Sequence, residues 1–311
     1  MEKQTIIREL MAKGIMVTPD ILEMALRDGI DRVVSSRHDV VMSSVRTTER
    51  TTNVLEPIKC SSLLSEFKKE YTIEDAVKSN YIRYESLRRM LLRKADAVSI
   101  KNITNAKSRI TVVGMVKEKK DFGFVLEDST GEATVKSDAS VETDDVIGVN
   151  GWVRNGVFTA DDVFYPDIPM DRVIGTIEGM LLLKNTGSNP DVNADVTVTP
   201  DSFITGKKES MTCTPNIITM ERDGKKVMLA VYKTDDPVNK NDAIKWLRRR
   251  YMPSNGRFFG RGYVLDPVPD ILWISSKNDY WFDNYKGTTM VSFGYGRSAL
   301  VDMKTRGIKQ L

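Results

Sequence analysis

Histidine and cysteine are nearly missing from this sequence. Among 311 residues there is one His and there are two Cys. Two cysteines cannot build a disulfide framework, and a structural zinc site takes about four Cys or His ligands. Histidine is the commonest general base and metal ligand. A chain whose sole imidazole is His38 cannot host a histidine-rich dinuclear centre or a Ser-His pair for acyl transfer. Carboxylate-only chemistry survives that exclusion. Long apolar runs are missing too: nothing approaches the ~18 residues of a membrane span. The opening MEKQTIIREL mixes charges and has no apolar signal core, so a cytoplasmic protein without a membrane partner is expected, its Cys60 and Cys213 reduced. Neither GxxxxGK[ST] nor a GxGxxG between strand and helix occurs, which removes the common nucleotide-phosphate loops. Phe293-Gly294-Tyr295-Gly296 reads as strand-end structure. A large excess of charge of one sign is absent as well. Lys and Arg total 46 against 43 Asp and Glu, a formal +3, so basic surface has to be local.

What is present reads as a globular chain of two or three units, with 41% hydrophobic and 29% charged residues. Apolar spacing predicts helices over 3–13 (Ile6, Ile7, Leu10, Met11) and after Thr18-Pro19, giving a helical region over 1–34. Residues 35–70 are polar, dominated by Ser, Thr, Arg and Asp to Thr52, and read as a linker holding His38. Residues 71–98 read as a basic helix capped near Thr72. Val77, Tyr81, Tyr84, Leu87, Leu91 and Leu92 share its apolar face, and Arg83, Arg88, Arg89, Arg93 and Lys94 lie elsewhere.

From Arg109 the apolar period changes to two. RITVVGMV, FGFVLEDSTGEATVKS, DVIGVNGWV and VFTADDVFY give four or five short strands, with Gly131 and Asn155-Gly156 in turns. That density, with glycines where a barrel bends, predicts an OB-type barrel over 99–169. Tyr165-Pro166-Asp167-Ile168-Pro169 closes it. Residues 170–311 are strand-rich: NIITMERDGKKVMLAVYKT turns at Asp223-Gly224, and DILWIS, YWFDNY and TTMVSFGYG are further strands. One helix is predicted from Asn241, as its cap, to Met252 before Pro253. The acidic pairs Asp144-Asp145, Asp161-Asp162 and Asp235-Asp236 read as solvated turns. The expected class is α+β.

The order of segments resembles the small subunit of archaeal family-D DNA polymerase, a family grouped with the B-subunits of eukaryotic replicative polymerases. IIRELMAKGIMVTPDILEMA is similar to its opening helical region, and NYIRYESLRRMLLRKADAVSIKNI to the basic helix that leads into its barrel. Glu127, Asp128, Thr130 and Gly131 match its barrel hairpin motif. DDVIGVNGWVRNGVFTADDVFYPDIP, with its exit signature, matches most closely. The resemblance implies a calcineurin-like phosphoesterase domain, a β-sandwich with helices, over 170–311.

In the family that domain holds two metal ions for proofreading; here the motifs are damaged. Tyr232 is kept, but Lys233 and Thr234 stand for His and Gly. Ser275, Ser276, Lys277 and Asn278 stand for Gly-His-x-His. The Asp-x-His region offers only Glu178, and the Gly-Asn-His-Asp block has no room between Pro169 and Asn216. A two-metal cage needs several carboxylates and imidazoles around ions ~3.5–4 Å apart, and Lys233 would set a cation among them. The resemblance therefore implies a non-catalytic accessory subunit with no cofactor or metal, whose partners are a large catalytic polymerase subunit and DNA.

An obligate interface of ~2,000 Å² or more is then expected, with aromatic anchors Trp152, Phe164, Tyr165, Trp246, Trp273, Trp281 and Tyr285. Lys245, Arg248, Arg249 and Arg250 are the candidate DNA contacts. A sliding-clamp contact is unplaced, since the C-terminal KTRGIKQL has no paired-aromatic motif. The alternative is a stand-alone barrel that binds single-stranded DNA through Trp152, Phe122 and Phe124 with Lys117, Lys119 and Lys120. A third reading, hydrolysis by an altered carboxylate site, has only the acidic pairs to draw on.

Overall fold

A computed structural model describes residues 56–62, 72–185, 192–212, 214–253, 264–277 and 280–311, with Leu26 alone before them. The chain divides into two units at Leu55/Glu56. The helices expected over 1–34, His38, Cys213 and Asn278 lie outside the described residues; Leu26 is helical and exposed. All the strands and the two long helices described belong to the second unit.

The described chain is mostly β. A four-residue strand β1 (Lys59–Ser62) is followed by helix α1 (Ile73–Leu92) and a 3₁₀ segment, Ile100–Asn105. Thr72 and Asp75 form a reciprocal capping box: the Thr72 hydroxyl accepts from the Asp75 N–H at 3.2 Å, and Asp75 accepts from the Thr72 N–H at 3.0 Å. The buried stripe of α1 is Ser79, Arg83, Leu87 and Leu91, spaced by four. Val77 and Tyr81, expected on the buried face, are exposed. At ~100° per residue Tyr81 sits roughly 120° round the helix from Leu87, beyond the reach of the surface that Leu87 covers.

Strands β2 (Ile110–Lys120), β3 (Gly123–Asp128), β4 (Gly131–Lys136), β5 (Val146–Arg154) and β6 (Val157–Phe164) close into a barrel in the order β2-β3-β4-β6-β5, an OB-type five-stranded arrangement. Alternation decides the faces. Val112, Val116, Phe124, Leu126, Val135, Ile147, Val149 and Phe158 point inward, while outward Val113 and Val146 pack beneath Leu87 and Leu91 of α1. Each such leucine contributes about 1.5–3 kcal/mol by leaving water. Closure is the parallel β4–β6 pairing, Val135↔Phe158 and Lys136↔Thr159. Asn155 and Gly156 both take positive φ, 52° and 76°, in the β5–β6 turn. Gly148 has no Cβ because one would stand 2.2 Å from the Phe164 ring.

The Glu127-Asp128-x-Thr130-Gly131 hairpin has a local job. Asp128 accepts from the Thr130 and Gly131 N–H groups at 2.6 and 3.1 Å and from the Ile100 N–H at 3.0 Å; Thr130 accepts from the Lys101 N–H at 3.1 Å. The hairpin thus caps the 3₁₀ segment, whose Ile100 and Ile103 plug the barrel.

The rest forms two six-stranded sheets. The first runs β1-β11-β12-β13-β15-β14, with β11 (Asn216–Arg222), β12 (Lys225–Lys233), β13 (Ile271–Ser275), β14 (Trp281–Tyr285) and β15 (Thr288–Phe293); β12, β13 and β15 are parallel. The second runs β10-β9-β8-β7-β16-β17, from β7 (Met180–Lys184), β8 (Val196–Val198), β9 (Ser202–Thr205), β10 (Lys208–Met211), β16 (Ser298–Asp302) and β17 (Ile308–Gln310).

Their inner faces share one core, including Leu181, Leu183, Val198, Leu229, Ile271, Trp273, Val291 and Phe293. Helix α2 (Lys240–Arg249) covers the outer face of the first sheet, setting Ala243, Trp246 and Leu247 on Ala230, Tyr232, Leu272 and Ile274. Its cap is Asn239, not Asn241. Asn239 accepts from the Asp242 N–H at 3.0 Å and Asp242 accepts from the Asn239 N–H at 3.2 Å, a box that Asn241 cannot make from inside the first turn. Strand β1 lies in the stretch expected to be a linker. Its short, polar sequence KCSS hides an edge strand that pairs antiparallel with β11, Lys59↔Glu221 to Ser62↔Ile218.

Candidate functional site

Three places bring chemistry-bearing residues together. The first is the seam between barrel and sandwich. Asp145, from the turn before β5, is buried. It meets Arg249 Nε at 2.8 Å, the Tyr165 hydroxyl at 3.1 Å and the Glu142 N–H at 2.8 Å. Arg249 also reaches Glu142 at 2.8 Å. Burial pushes the Asp145 carboxyl up, against the opposing pull of the Glu142 N–H and Arg249. Burial and the Asp145 charge likewise raise the Tyr165 phenol.

Asp167, in the barrel's exit signature, adopts φ 45°. Its N–H donates to the Arg248 carbonyl at 2.8 Å, and its carboxylate takes Lys286 at 2.6 Å and the Tyr285 hydroxyl at 3.1 Å. Burial first, then the Asp167 charge, push the Tyr285 phenol up to about 12. Ile168 beside it is buried in the cluster that α2 covers on the outer face of the first sheet. The seam is therefore stitched by two carboxylates, each facing a cation and a phenol.

This geometry redistributes the candidate DNA contacts. Arg250 is 5% exposed at φ 54°. It donates to the Leu265 carbonyl at 2.7 Å and faces Asp266 at 3.5 Å, so it ends the helix and ties down the following segment. Arg249 is spent on Asp145 and Glu142. Arg248 is exposed, its guanidinium 5.0 Å above the Tyr165 ring. Lys245 is exposed and 3.7 Å from Glu142. A basic run on a ten-residue helix cannot share one face; half of it turned inward to the acids that the barrel presents. The Asp144-Asp145 pair is correspondingly not a solvated turn, since Asp145 is one of those acids.

The expected aromatic anchors separate in the same way. Trp273 is fully buried between the sheets, 5.4 Å from Phe293, and has no surface to offer. Trp246 is buried against Tyr232 at 4.8 Å. Trp281 is half-buried over α2 and donates to the Val238 carbonyl at 3.1 Å. Phe164, Tyr165 and Tyr285 are half-buried in the seam. Trp152 alone of the seven is exposed, at 38%.

The second place is the carboxyl end of the parallel strands, where open α/β sheets hold their ligands. Lys233 at the end of β12 pairs with Asp201 at 2.8 Å, and Lys277 lies 4.0 Å from Asp235. The Ser276 and Ser292 hydroxyls meet at 3.1 Å in a buried contact. Glu178 is drawn away to Lys304. Among the described residues, no three of His, Cys, Asp and Glu gather as a metal site would require.

The third place is the outer wall of the barrel. Register sets Gly123, Lys136, Thr159 and Trp152 in one row across β3, β4, β6 and β5. Phe122, at the tip of the β2–β3 turn, is 81% exposed. Phe124 is core and Lys117 faces Glu132 and Glu127, which removes both from the stacking surface expected of a strand-binding barrel. Sequence reasoning passed over the buried carboxylate Asp270. It accepts from the Gly175 and Met228 N–H groups, each at 2.9 Å, and faces Arg172 at 3.5 Å. A lone Asp between Pro269 and an apolar run was the available signal.

No family model matches the chain. A similar curated protein is the DNA polymerase II small subunit of Archaeoglobus fulgidus, 23% identical over 209 residues. That match takes in 54% of this chain and 43% of the relative, so the chain spans less than half of the relative's length. Among solved structures, the S. pombe Stn1-ten1 complex covers 22% of this chain and 73% of its own at 18% identity and TM-score 0.20. Ten1 from Saccharomyces pombe covers 22% and 78%, again at 18% identity and TM-score 0.20. Among the described residues no helix is long and apolar enough to cross a membrane.

Proposed function

We propose that this chain is a non-catalytic accessory subunit of a family-D-like DNA polymerase, a B-subunit that scaffolds the large catalytic subunit. In this reading the two-sheet sandwich is a phosphoesterase-like domain kept as framework, working beside replicating DNA in the cytoplasm. The curated small subunit similar over 209 residues supports the class. The carrying observation is the chemistry at the carboxyl ends of β12 and β13: Lys233 in an ion pair and a buried serine contact. Two divalent ions there would have to be held by carboxylates and imidazoles, and an ammonium group opposes them. Arg248, and Lys245 by giving up its exposed pair with Glu142, are the residues of the basic run that reach the surface to meet phosphates, and Trp152 is the exposed anchor left for a partner. A sliding clamp is a further partner in this reading, with no assigned contact.

The test is co-purification of the tagged full chain from its host. A DNA polymerase large subunit recovered at near-equal stoichiometry is the expected result; recovery of the chain alone overturns it. Metal-dependent hydrolysis of single-stranded DNA by purified protein in Mn or Mg would overturn the non-catalytic part.

A second reading has its own observation. The row Gly123, Lys136, Thr159, Trp152, with exposed Phe122 nearby in sequence, combines aromatic faces with a cation that has no ion-pair partner among the described residues. Such a wall fits single-stranded DNA. If it binds, Trp152→Ala weakens oligonucleotide affinity by about 1–3 kcal/mol; unchanged affinity removes this reading.

A further inference from the structure

Arg83 is a buried cation whose polar contacts among the described residues are long. Its residue is 6% exposed, on the face of α1 that packs inward. Its guanidinium lies 4.6 Å over the Tyr251 ring. Among the described residues, its nearest carboxylate oxygen is Asp144 Oδ1 at 4.0 Å, on a side chain 64% exposed. Its remaining polar contact is the Met115 thioether at 3.8 Å, a weak acceptor. Its Nε is buried and donates to no atom among the described residues. A guanidinium carries five N–H donors, and leaving a buried charge so poorly matched is costly.

The same side chain lines a cleft of about 270 Å³ between α1, the turn before β5 and the end of α2. Thr143, Trp246, Arg249 and Tyr251 line it too. The charge of Arg249 is already answered by Asp145 and Glu142; among the described residues that of Arg83 has the exposed Asp144 carboxylate, at 4.0 Å. The cleft is smaller than the ~300–1,000 Å³ of pockets that enclose whole drug-sized ligands.

We infer that this cleft is a binding site for a small oxyanion, a phosphate or carboxylate group, received by the Arg83 guanidinium. Planar N–H pairs match both groups bidentately, and the Thr143 side chain adds a hydroxyl to the lining. Two carboxylates in the lining oppose an incoming anion: Asp145, which Arg249 already neutralises at 2.8 Å, and the exposed Asp144, which water screens. The site adjoins the seam, whose Asp145 and Arg249 are in its lining, and it does not depend on the accessory-subunit reading.

The test is thermal unfolding of the full chain in sodium phosphate, sodium acetate and sodium chloride at matched ionic strength. At 100 mM phosphate or acetate and a Kd of about 10 mM, Tm rises by roughly 3–5 °C over chloride. The anion that produces the rise identifies the group. Arg83→Met abolishes the rise while melting in chloride within about 2 °C of the parent or above it, because an unmatched buried charge has been replaced by an apolar chain of similar length. Asp144→Asn enlarges the rise by removing the opposing charge. Equal melting of the parent chain in all three salts overturns the inference, as does an undiminished rise in Arg83→Met. A fall of more than about 5 °C for Arg83→Met in chloride also overturns it, by making the guanidinium a structural group.

Discussion

Replacing Asp270 with Asn tests whether one carboxylate fastens the strap entering the sandwich. Asp270 is 1% exposed. Its Oδ1 accepts from the Gly175 N–H at 2.9 Å and faces Arg172 at 3.5 Å; its Oδ2 accepts from the Met228 N–H at 2.9 Å. Arg172 also donates to the Val268 carbonyl at 3.3 Å and the Thr288 hydroxyl at 3.2 Å, and Arg306 donates to the Gly175 carbonyl. The carboxylate thus ties 172–175, the middle of β12 and the start of β13 together.

Asn keeps one acceptor oxygen and turns an NH₂ group toward a backbone N–H. One hydrogen bond to a charged acceptor, about 1.5–3 kcal/mol, is lost, and Arg172 loses its buried counter-charge. The expected cost is about 3–5 kcal/mol, a large part of a total near 5–15 kcal/mol. At roughly 2–4 °C per kcal/mol for a unit of this size, calorimetry should show Tm falling by about 10 °C. Amide exchange at Gly175 and Met228 should quicken with it. The exposed Asp121→Asn is the matched control, expected to leave Tm unchanged. A loss below about 1 kcal/mol, or exchange at Gly175 unaltered, refutes the argument.

The seam gives a second prediction: a double-mutant cycle of Arg249→Met and Asp145→Asn, read by denaturant unfolding, should return a coupling energy of about 2 kcal/mol; additivity within 0.5 kcal/mol, by the same yardstick of roughly independent sites, would mean the pair is incidental. A third concerns acid. Burial pushes the Asp128 carboxyl up, but the Thr130 hydroxyl and the N–H groups of Ile100, Thr130 and Gly131 outweigh it and hold it below the ordinary carboxylate value. Its folded-state pKa is depressed, so its contribution is complete above the unfolded value near ~4 and is lost as pH falls through the folded one; Asp128→Asn should flatten the acid limb of a stability–pH curve. A fourth concerns Cys60, whose thiol burial pushes up to about 12. With Cys213→Ser as background, alkylation at pH 8 should be slow and should accelerate on unfolding; rapid labelling of the folded chain would contradict the burial.

Periodicity made the barrel legible. Alternating apolar residues and the Asn155-Gly156 turn define strands before any contact is known, and Asp223-Gly224 does the same for β11–β12, with φ 52° and 73°. Apolar spacing places the α2 cap two residues late, at Asn241, because it does not show the reciprocal bonds between Asn239 and Asp242 that fix it. Charge patterning misled more than apolar patterning. A run such as Lys-Trp-Leu-Arg-Arg-Arg shows where cations are, and not which acids will fold against them. Asp145 and Glu142 come from a turn about a hundred residues earlier, as the 104-residue separation of Arg249 and Asp145 shows. Trp273 failed as a surface anchor for a related reason: a strand buried on both faces shows no alternation to mark which side meets solvent. β1 escaped notice because an edge strand needs no hydrophobic signature to pair.

That edge strand makes the sandwich discontinuous along the chain, with α1 and the whole barrel inserted between its first strand and the rest. Ser62 meets the Asn216 amide at 2.7 Å across 154 residues. On a ribosome adding about 5–20 residues per second, β1 emerges some 8–30 s before β11 is complete. The barrel and α1 are made entirely within that interval, and local contacts close them first. Assembly is therefore ordered by synthesis: a finished barrel is in place before the first sheet can gain its edge. The four residues of β1, led by Lys59 and otherwise small, offer little for a foreign strand to adhere to while they wait.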